Sequence, residues 1–267
     1  MQSLQRRLVS ILQVRKMNQP SLVILQNVST VETRSVRLAC LLNDISVVNC
    51  SLDGLDMYST DLKNGRALPV GSVEFVRNAM HVAGIAEPEN LSYQEAIQRF
   101  LGRKIHRIRA GHVLGKWFVK PVATKLFTGF VFDSSLEKTA YSLADQVSLA
   151  SFSRVPSDTP VWICEPVNFV CEWRYYVQDG AVIGSARYDP DGSDNAPEPH
   201  QEVVFECIAA SGIDTPFAAD FGVLDDGRTV LVELNDFWAL GLYEGAITPS
   251  QYMKALHKRW SSLFCTG

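Results

Sequence analysis

Asp220, Glu233 and Asn235 lie in one segment, FAADFGVLDDGRTVLVELN, residues 217–235. Asp226-Gly227 between apolar runs predicts a hairpin with a two-residue turn. That turn sets Asp220 opposite Glu233. Period-two alternation puts Asn235 on the same face as Glu233, with Val230, Val232 and Leu234 pointing inward. Facing carboxylates repel across a ladder, so the pair needs compensation. A divalent cation supplies it, because Mg2+ accepts carboxylate and amide oxygens and keeps phosphate oxygens as further ligands. The alternative is a solvated polar face carrying unpaired acids.

A second hairpin is written in EWRYYVQDGAVIGSARYD, residues 172–189, with Asp179-Gly180 as its turn. A two-residue loop there sets Glu172 opposite Arg187 and Arg174 opposite Ser185. Trp173, Tyr175 and Val177 line the other face. Two arginines close together on a sheet face suit an anionic ligand, phosphate or carboxylate. The competing reading is a cross-strand salt bridge on a solvated surface, which contributes little. In FVKPVATKLFTG, residues 118–129, Lys120 ends a strand and Lys125 sits in the loop after it. A strand-end lysine with a flexible loop suits phosphate oxygens. The segment is not the GxxxxGK[ST] phosphate loop. Read alone, both lysines are ordinary surface residues.

These residues need elements to position them. Residues 21–26 and 45–51 read as buried strands, and 31–43 between them as a helix, a strand–helix–strand opening. Helices are predicted over 72–84 and 92–102, the latter after a loop marked by Pro88 and Asn90. Residues 116–120 form a strand stopped by Pro121, followed by the loop and a short strand, FVF. Helical periodicity covers 134–150, and a polar loop runs over 151–159. VWICEPV after Pro160 reads as a buried strand. Mostly hairpins follow to about residue 235, and a helix over 248–264 closes the pattern.

Bulk properties narrow the classes. The chain has 267 residues, which suits one large domain or two small ones. Hydrophobic residues make up 46% and charged residues 20%, a balance that packs a core without staples. The net charge of −4 argues against non-specific nucleic-acid binding. The six cysteines show no CxxC spacing, so packing is their expected role, and their scatter suits a reducing cytosol. No window approaches the roughly 20 apolar residues of a membrane span. MQSLQRRLVSILQVRK at the start reads as an amphipathic helix rather than a signal peptide. His81, His106, His112, His200 and His257 fall outside the motifs.

The order of these pieces is what becomes specific. A strand ends in Lys-Pro, and a glycine-containing loop follows. Glu165-Pro166-Val167 comes next, with a second acid at Glu172. Asp220-x-Gly222 then leads into a hairpin to Glu233-x-Asn235. This order resembles the ATP-grasp superfamily over roughly residues 111–245. The resemblance implies an α+β ATP-grasp fold. An N-terminal pre-ATP-grasp α/β region would span 1–110 and the ATP-grasp domain 111–267, with lobes 111–164 and 165–267. It implies that Lys120 contacts ATP phosphates and that Lys125, Thr128 and Gly129 close over them. The backbone from Glu165 through Pro166, Val167 and Asn168 would read adenine, and Glu172 would grip the ribose. Mg2+ would bind Asp220, Glu233 and Asn235.

Many ATP-grasp ligases carry an arginine two residues before the metal aspartate, where this chain has Ala218. With Glu172-Trp173-Arg174 and the extra loop lysine, it is similar to a divergent branch of the superfamily. That branch includes a eukaryotic factor that assists assembly of a translation-initiation complex. The resemblance implies that Arg174 and Lys125 compensate for the missing arginine, with Arg187 beside them. The activity it implies is carboxylate–amine ligation through an acyl phosphate, on small-molecule or peptide substrates, in the cytoplasm. The rivals are an ATP- and Mg2+-binding assembly factor without ligation, and a kinase.

Overall fold

A computed structural model of the chain describes residues 19–91, 93–123, 126–189 and 195–265. Lys125 and the helix expected within residues 1–16 lie outside this set. The first layer is a parallel sheet of β1 (Leu22–Gln26), β2 (Ser46–Cys50) and β3 (Ala67–Val70), in the order β2-β1-β3. Helix α1 (Val31–Asn43) joins β1 to β2. Thr30 and Thr33 form its capping box, and the chain leaves it through Asp44 in the left-handed conformation. A short helix, α2 (Ser59–Lys63), precedes β3, and α3 (Val73–Ala83) follows it between Ser72 and Gly84.

Residues 95–100 form a 3-10 turn where a helix over 92–102 was expected. Its buried anchors, Ile97 and Phe100, are three apart, a spacing that a three-residue turn stacks on one side. The second sheet is antiparallel: β4 (Ile105–Arg109), β5 (Lys116–Pro121), β6 (Phe130–Asp133) and β7 (Pro160–Cys164), in the order β4-β7-β5-β6. The boundary expected at residue 110 thus falls after β4, which is already hydrogen-bonded to β7. Helix α4 (Leu143–Phe152) begins nine residues later than its expected start at 134, because Ser142 caps the Asp145 amide.

The third sheet contains β8 (Phe169–Gln178), β9 (Ala181–Arg187), β10 (Phe217–Leu224) and β11 (Thr229–Asp236), in the order β11-β10-β8-β9. Helix α5 (Gln201–Ser211) falls in a stretch expected to be mostly hairpins. Its buried residues Val204, Cys207, Ile208 and Ser211 recur at helical spacing, and Gly212 ends it. It packs with Tyr175, Val177, Phe217, Phe221, Leu231 and Leu234 on one face of the sheet. The opposite face is divided. Tyr176 and Ala218 are covered by the first layer and by α6 (Pro249–Ser262). The remainder of that face carries the charged residues. Five cysteines are buried and Cys265 is exposed; burial pushes the Cys207 thiol up to about 12, as packing requires. Among the described residues, no helix is long and apolar enough to cross a membrane.

Candidate functional site

Asp220 pairs with Glu233 across β10 and β11, as expected. The local route to this register differs. The Leu224 N–H donates to the Arg228 carbonyl (2.9 Å) and the Gly227 N–H to the Leu224 carbonyl (2.9 Å), so the loop is Asp225-Asp226-Gly227. That three-residue loop sets Phe221 opposite Leu231. A bulge at Val232 then restores Asp220 to Glu233. Leu231 therefore takes the inward place expected of Val232, which is half-exposed. Arg103 secures the bulge. Its Nη1 donates to the Leu231 carbonyl (2.9 Å) and its Nη2 to the Val232 carbonyl (3.0 Å).

In the other hairpin, Asp179 and Gly180 form the expected two-residue turn, both with positive φ. The register slips between Tyr176 and Val177. Arg187 consequently lies opposite Trp173, and Arg174 opposite Ala186. The expected pairings of Glu172 with Arg187 and of Arg174 with Ser185 do not form. Arg187 instead forks onto Asp189, Nε–Oδ1 2.7 Å and Nη2–Oδ2 2.7 Å. Asp189 Oδ1 also accepts the Glu172 N–H at 3.0 Å. The Arg187 guanidinium thus shapes the end of β9 rather than sharing the Arg174 face.

Arg174 is also not free of a protein partner, as it was expected to be. The β8–β10 ladder places it opposite Asp220, to which it donates twice: Nε–Oδ1 2.8 Å and Nη2–Oδ2 2.7 Å. Lys120 reaches from the second sheet to the third and pairs with Glu233, Nζ–Oε2 2.6 Å. Asn235 Nδ2 lies 3.0 Å from both Asp220 Oδ2 and Glu233 Oε1. Two cations and an amide of the chain itself therefore offset the facing carboxylates. Burial pushes Asp220 up to about 6, against the pull of Arg174. Burial also opposes the Glu233 charge, yet Lys120 holds that carboxyl below its ordinary value. Burial disfavours the Lys120 charge, and Glu233 overcomes this to hold the ammonium above the usual lysine range.

Glu172 shares this face and accepts a hydrogen bond from the Tyr188 hydroxyl at 2.8 Å. Burial, with Glu233 and Asp189 nearby, raises its carboxyl against that bond. Glu165, Pro166 and Asn168 are exposed and Val167 half-buried, all in the link from β7 to β8 between the two sheets. Thr128 is exposed at the loop before β6. Gly129 lies against the root of Lys120: a Cβ there would sit 2.7 Å from the Phe118 ring and 3.2 Å from Lys120 Cβ. Ala218 is fully buried in the apolar cluster beneath Tyr176, and the guanidinium near Asp220 comes from Arg174 instead.

Sequence reasoning missed Tyr93, Arg103, Tyr188 and Tyr243. Tyr188 was within reach, since it directly follows Arg187 in the hairpin segment. The others meet the site through contacts distant in sequence. Tyr93 lies under Lys120, with its ring centroid 5.2 Å from Nζ, and edge-on to Trp162 at 5.3 Å. A groove of about 470 Å3 between Val31, Ser35, Leu242, Ile247 and Gln251 contains none of the expected site residues.

Among the described residues, no three His, Cys, Asp or Glu side chains converge as a metal cage. The donors here are two carboxylates and an amide. That set fits Mg2+, which is commonly held by one or two carboxylates while phosphates and water complete its shell.

No curated protein matches the chain in sequence. Its fold is similar to that of D-cycloserine synthetase DcsG, with a TM-score of 0.57, 15% identity, and 90% of this chain and 99% of that one covered. It is also similar to D-alanine–D-alanine ligase from Bacillus anthracis complexed with ATP, with a TM-score of 0.52, 14% identity, and 92% and 99% covered. L-amino acid ligase from Bacillus licheniformis aligns with a TM-score of 0.51 at 12% identity, covering 82% of this chain and 68% of that one. The model of the ATP-grasp domain, R-2-K clade family 2, matches residues 100–255 and so takes in β4, where the second sheet begins. That match covers more than half of the sequence, and the chain belongs to this divergent clade of ATP-grasp domains.

Proposed function

We propose that this protein is an ATP-dependent carboxylate–amine ligase whose nucleotide lies between the second and third sheets. The observation that carries this reading is the linked charge set across the two sheets, from Lys120 to Glu233 and, through Asn235, to Asp220 and Arg174. A set of cations and acids that satisfy one another is poised for exchange. Lys120 would exchange Glu233 for phosphate oxygens, and Asp220, Glu233 and Asn235 are the residues that would hold Mg2+. When bound, Mg2+ neutralises charge on the phosphoryl group being transferred.

In this reading the chain supplies positioning and charge. The backbone of Glu165, Pro166, Val167 and Asn168 contacts adenine, and Glu172 meets the ribose while Tyr188 fixes its carboxylate. Gly129 and Thr128, with Lys125, close over the phosphates. Arg174 steadies the transferred group with its planar fork. Arg187, engaged with Asp189, holds the strand end that carries Tyr188. The substrate carboxylate attacks the γ-phosphorus and ADP leaves. The resulting acyl phosphate is attacked by an amine, which yields an amide, phosphate and a proton. The acid and amine are small molecules or peptide groups, and nucleic acid has no part. We place the first lobe from β4 to Cys164 and the second from β8 onward, with 165–168 as the link, in a cytosolic protein.

ADP release in the presence of panels of acids and amines tests this, with Asp220→Ala as the control. Release that needs both an acid and an amine is expected. ATP bound without ADP release from any pair would favour a non-ligating assembly factor. A stable phosphorylated product would make the protein a kinase. The same strand-pair geometry serves all three, so the products decide.

A further inference from the structure

Residues 240–243 cross the charged face as a strap whose backbone is anchored at four consecutive positions. The Tyr252 hydroxyl donates to the Leu240 carbonyl. The Tyr176 hydroxyl donates to the Gly241 carbonyl (3.1 Å) and accepts the Tyr243 N–H (3.0 Å). The Leu242 N–H donates to Glu32 Oε1 on α1 at 3.0 Å. Gly241 runs between these two side chains: a Cβ there would lie at ordinary contact distance from both, 3.6 Å from Glu32 Oε1 and 3.9 Å from Arg174 Nη1. The strap ends on Tyr243, whose ring stacks on that of Tyr188 with centroids 5.1 Å apart and planes 6° from parallel. Arg174 Cζ is 5.2 Å from the Tyr243 ring and 5.7 Å from the Tyr188 ring, within cation–π range of both.

Arg174 therefore has two supports, the Asp220 fork and the tyrosine pair. The fork is the one that must loosen if Asp220 turns to a cation. We propose that Tyr243 and Glu32 are positioning residues for Arg174: the strap, tied to α1 by Glu32, presents the tyrosine stack that keeps the guanidinium in place when Asp220 is engaged elsewhere. The first layer of the protein is thereby coupled to the charged face. Glu32 acts through the strap, and Tyr243 acts through its ring rather than its hydroxyl.

The test is the order of the Arg174 side chain, read by NMR from 15N at its Nε. The Arg174 signal is identified by its loss in Arg174→Lys. Asp220→Asn removes the charged fork and leaves the strap as the support. Arg174 is expected to stay rigid in Asp220→Asn, with an order parameter of about 0.85. It should stay so when Tyr243→Phe is added. Adding Tyr243→Leu or Glu32→Ala should drop it below about 0.6, whereas Glu32→Gln, which keeps an acceptor oxygen, should restore it. Backbone amide spectra show whether each variant is folded. If Glu32→Ala does not fold, the Tyr243 pair decides alone. Mobility in Asp220→Asn by itself, or rigidity in Asp220→Asn/Tyr243→Leu, would overturn the proposal. What this order does for turnover rests on the function proposed above. That reading is tested by ADP release, so either can fail while the other stands.

Discussion

Arg174 is held in two ways at the charged face. Its guanidinium meets both oxygens of Asp220 and lies against two tyrosine rings. Lysine keeps the charge but has neither the fork nor the flat surface. Arg174→Lys should lower turnover roughly a hundredfold, the scale of one lost transition-state donor, with ATP affinity changed far less. Steady-state ADP release checks this. Normal turnover would reduce the charged face to a structural ion-pair patch. Arg187 plays a different part, and pH separates the two. Its fork holds the Asp189 carboxyl below the ordinary aspartate value. A carboxyl depressed in the folded state adds stability that is present above its unfolded pKa and lost as pH falls through its folded one. Wild type should thus exceed Asp189→Asn by about 1 kcal/mol at neutral pH. The gap should hold down to about pH 5 and shrink below about pH 4. Denaturant titrations at stepped pH measure it. A gap that does not change with acid would mean that the Asp189 charge adds nothing.

At the scale of elements, the bulge at Val232 decides where Glu233 points. A one-residue slip in a strand turns every later side chain to the opposite face. Without the bulge, the three-residue loop would set Asp220 opposite Val232 and carry Glu233 away from the site. Arg103 bonds the carbonyls of Leu231 and Val232, and the Tyr93 hydroxyl lies 3.4 Å from the Val232 carbonyl. Arg103→Met fills similar space without donors. It should cost about 3 kcal/mol, the scale of three lost hydrogen bonds to partly buried carbonyls, the third being that of Leu101. It should also weaken Mg-ATP binding, although Arg103 bonds none of the residues assigned to the metal. Denaturation and calorimetric titration report the two effects. A stability loss with unaltered binding would show that the bulge holds its register without Arg103.

The whole molecule brings the second and third sheets together through Lys120 and Glu233. Lys120 and Arg174 bond Glu233 and Asp220, the acids proposed to hold the metal. Mn2+ titrated as a Mg2+ probe should therefore bind poorly alone and at least about tenfold more tightly with a non-hydrolysable ATP analogue. Lys120→Met should tighten nucleotide-free Mn2+ binding, because Glu233 loses its counter-charge. Electron paramagnetic resonance of free and bound Mn2+ distinguishes these outcomes. Tight Mn2+ binding to the wild-type protein without nucleotide would count against the exchange.

Local patterns in the sequence determined much of this protein. The N-terminal strand–helix–strand, the presence of the two hairpins, the final helix and a strand carrying Lys120 all follow from periodicity and turn chemistry over short stretches. The order of the motifs pointed to the ATP-grasp superfamily, to which the family match assigns the chain. Turn residues set register only as far as the next bulge. The slip after Tyr176 moved Arg174 and Arg187 from their expected partners, while the bulge at Val232 offset a longer loop and left Asp220 where it was expected. Only the tertiary structure decided the neighbours across β8 and β10, the reach of Lys120 to Glu233 and the strap from Glu32 to Tyr243. These contacts join residues tens to hundreds of positions apart. Their geometry depends on how whole layers pack, and side-chain alternation within a strand contains no record of it.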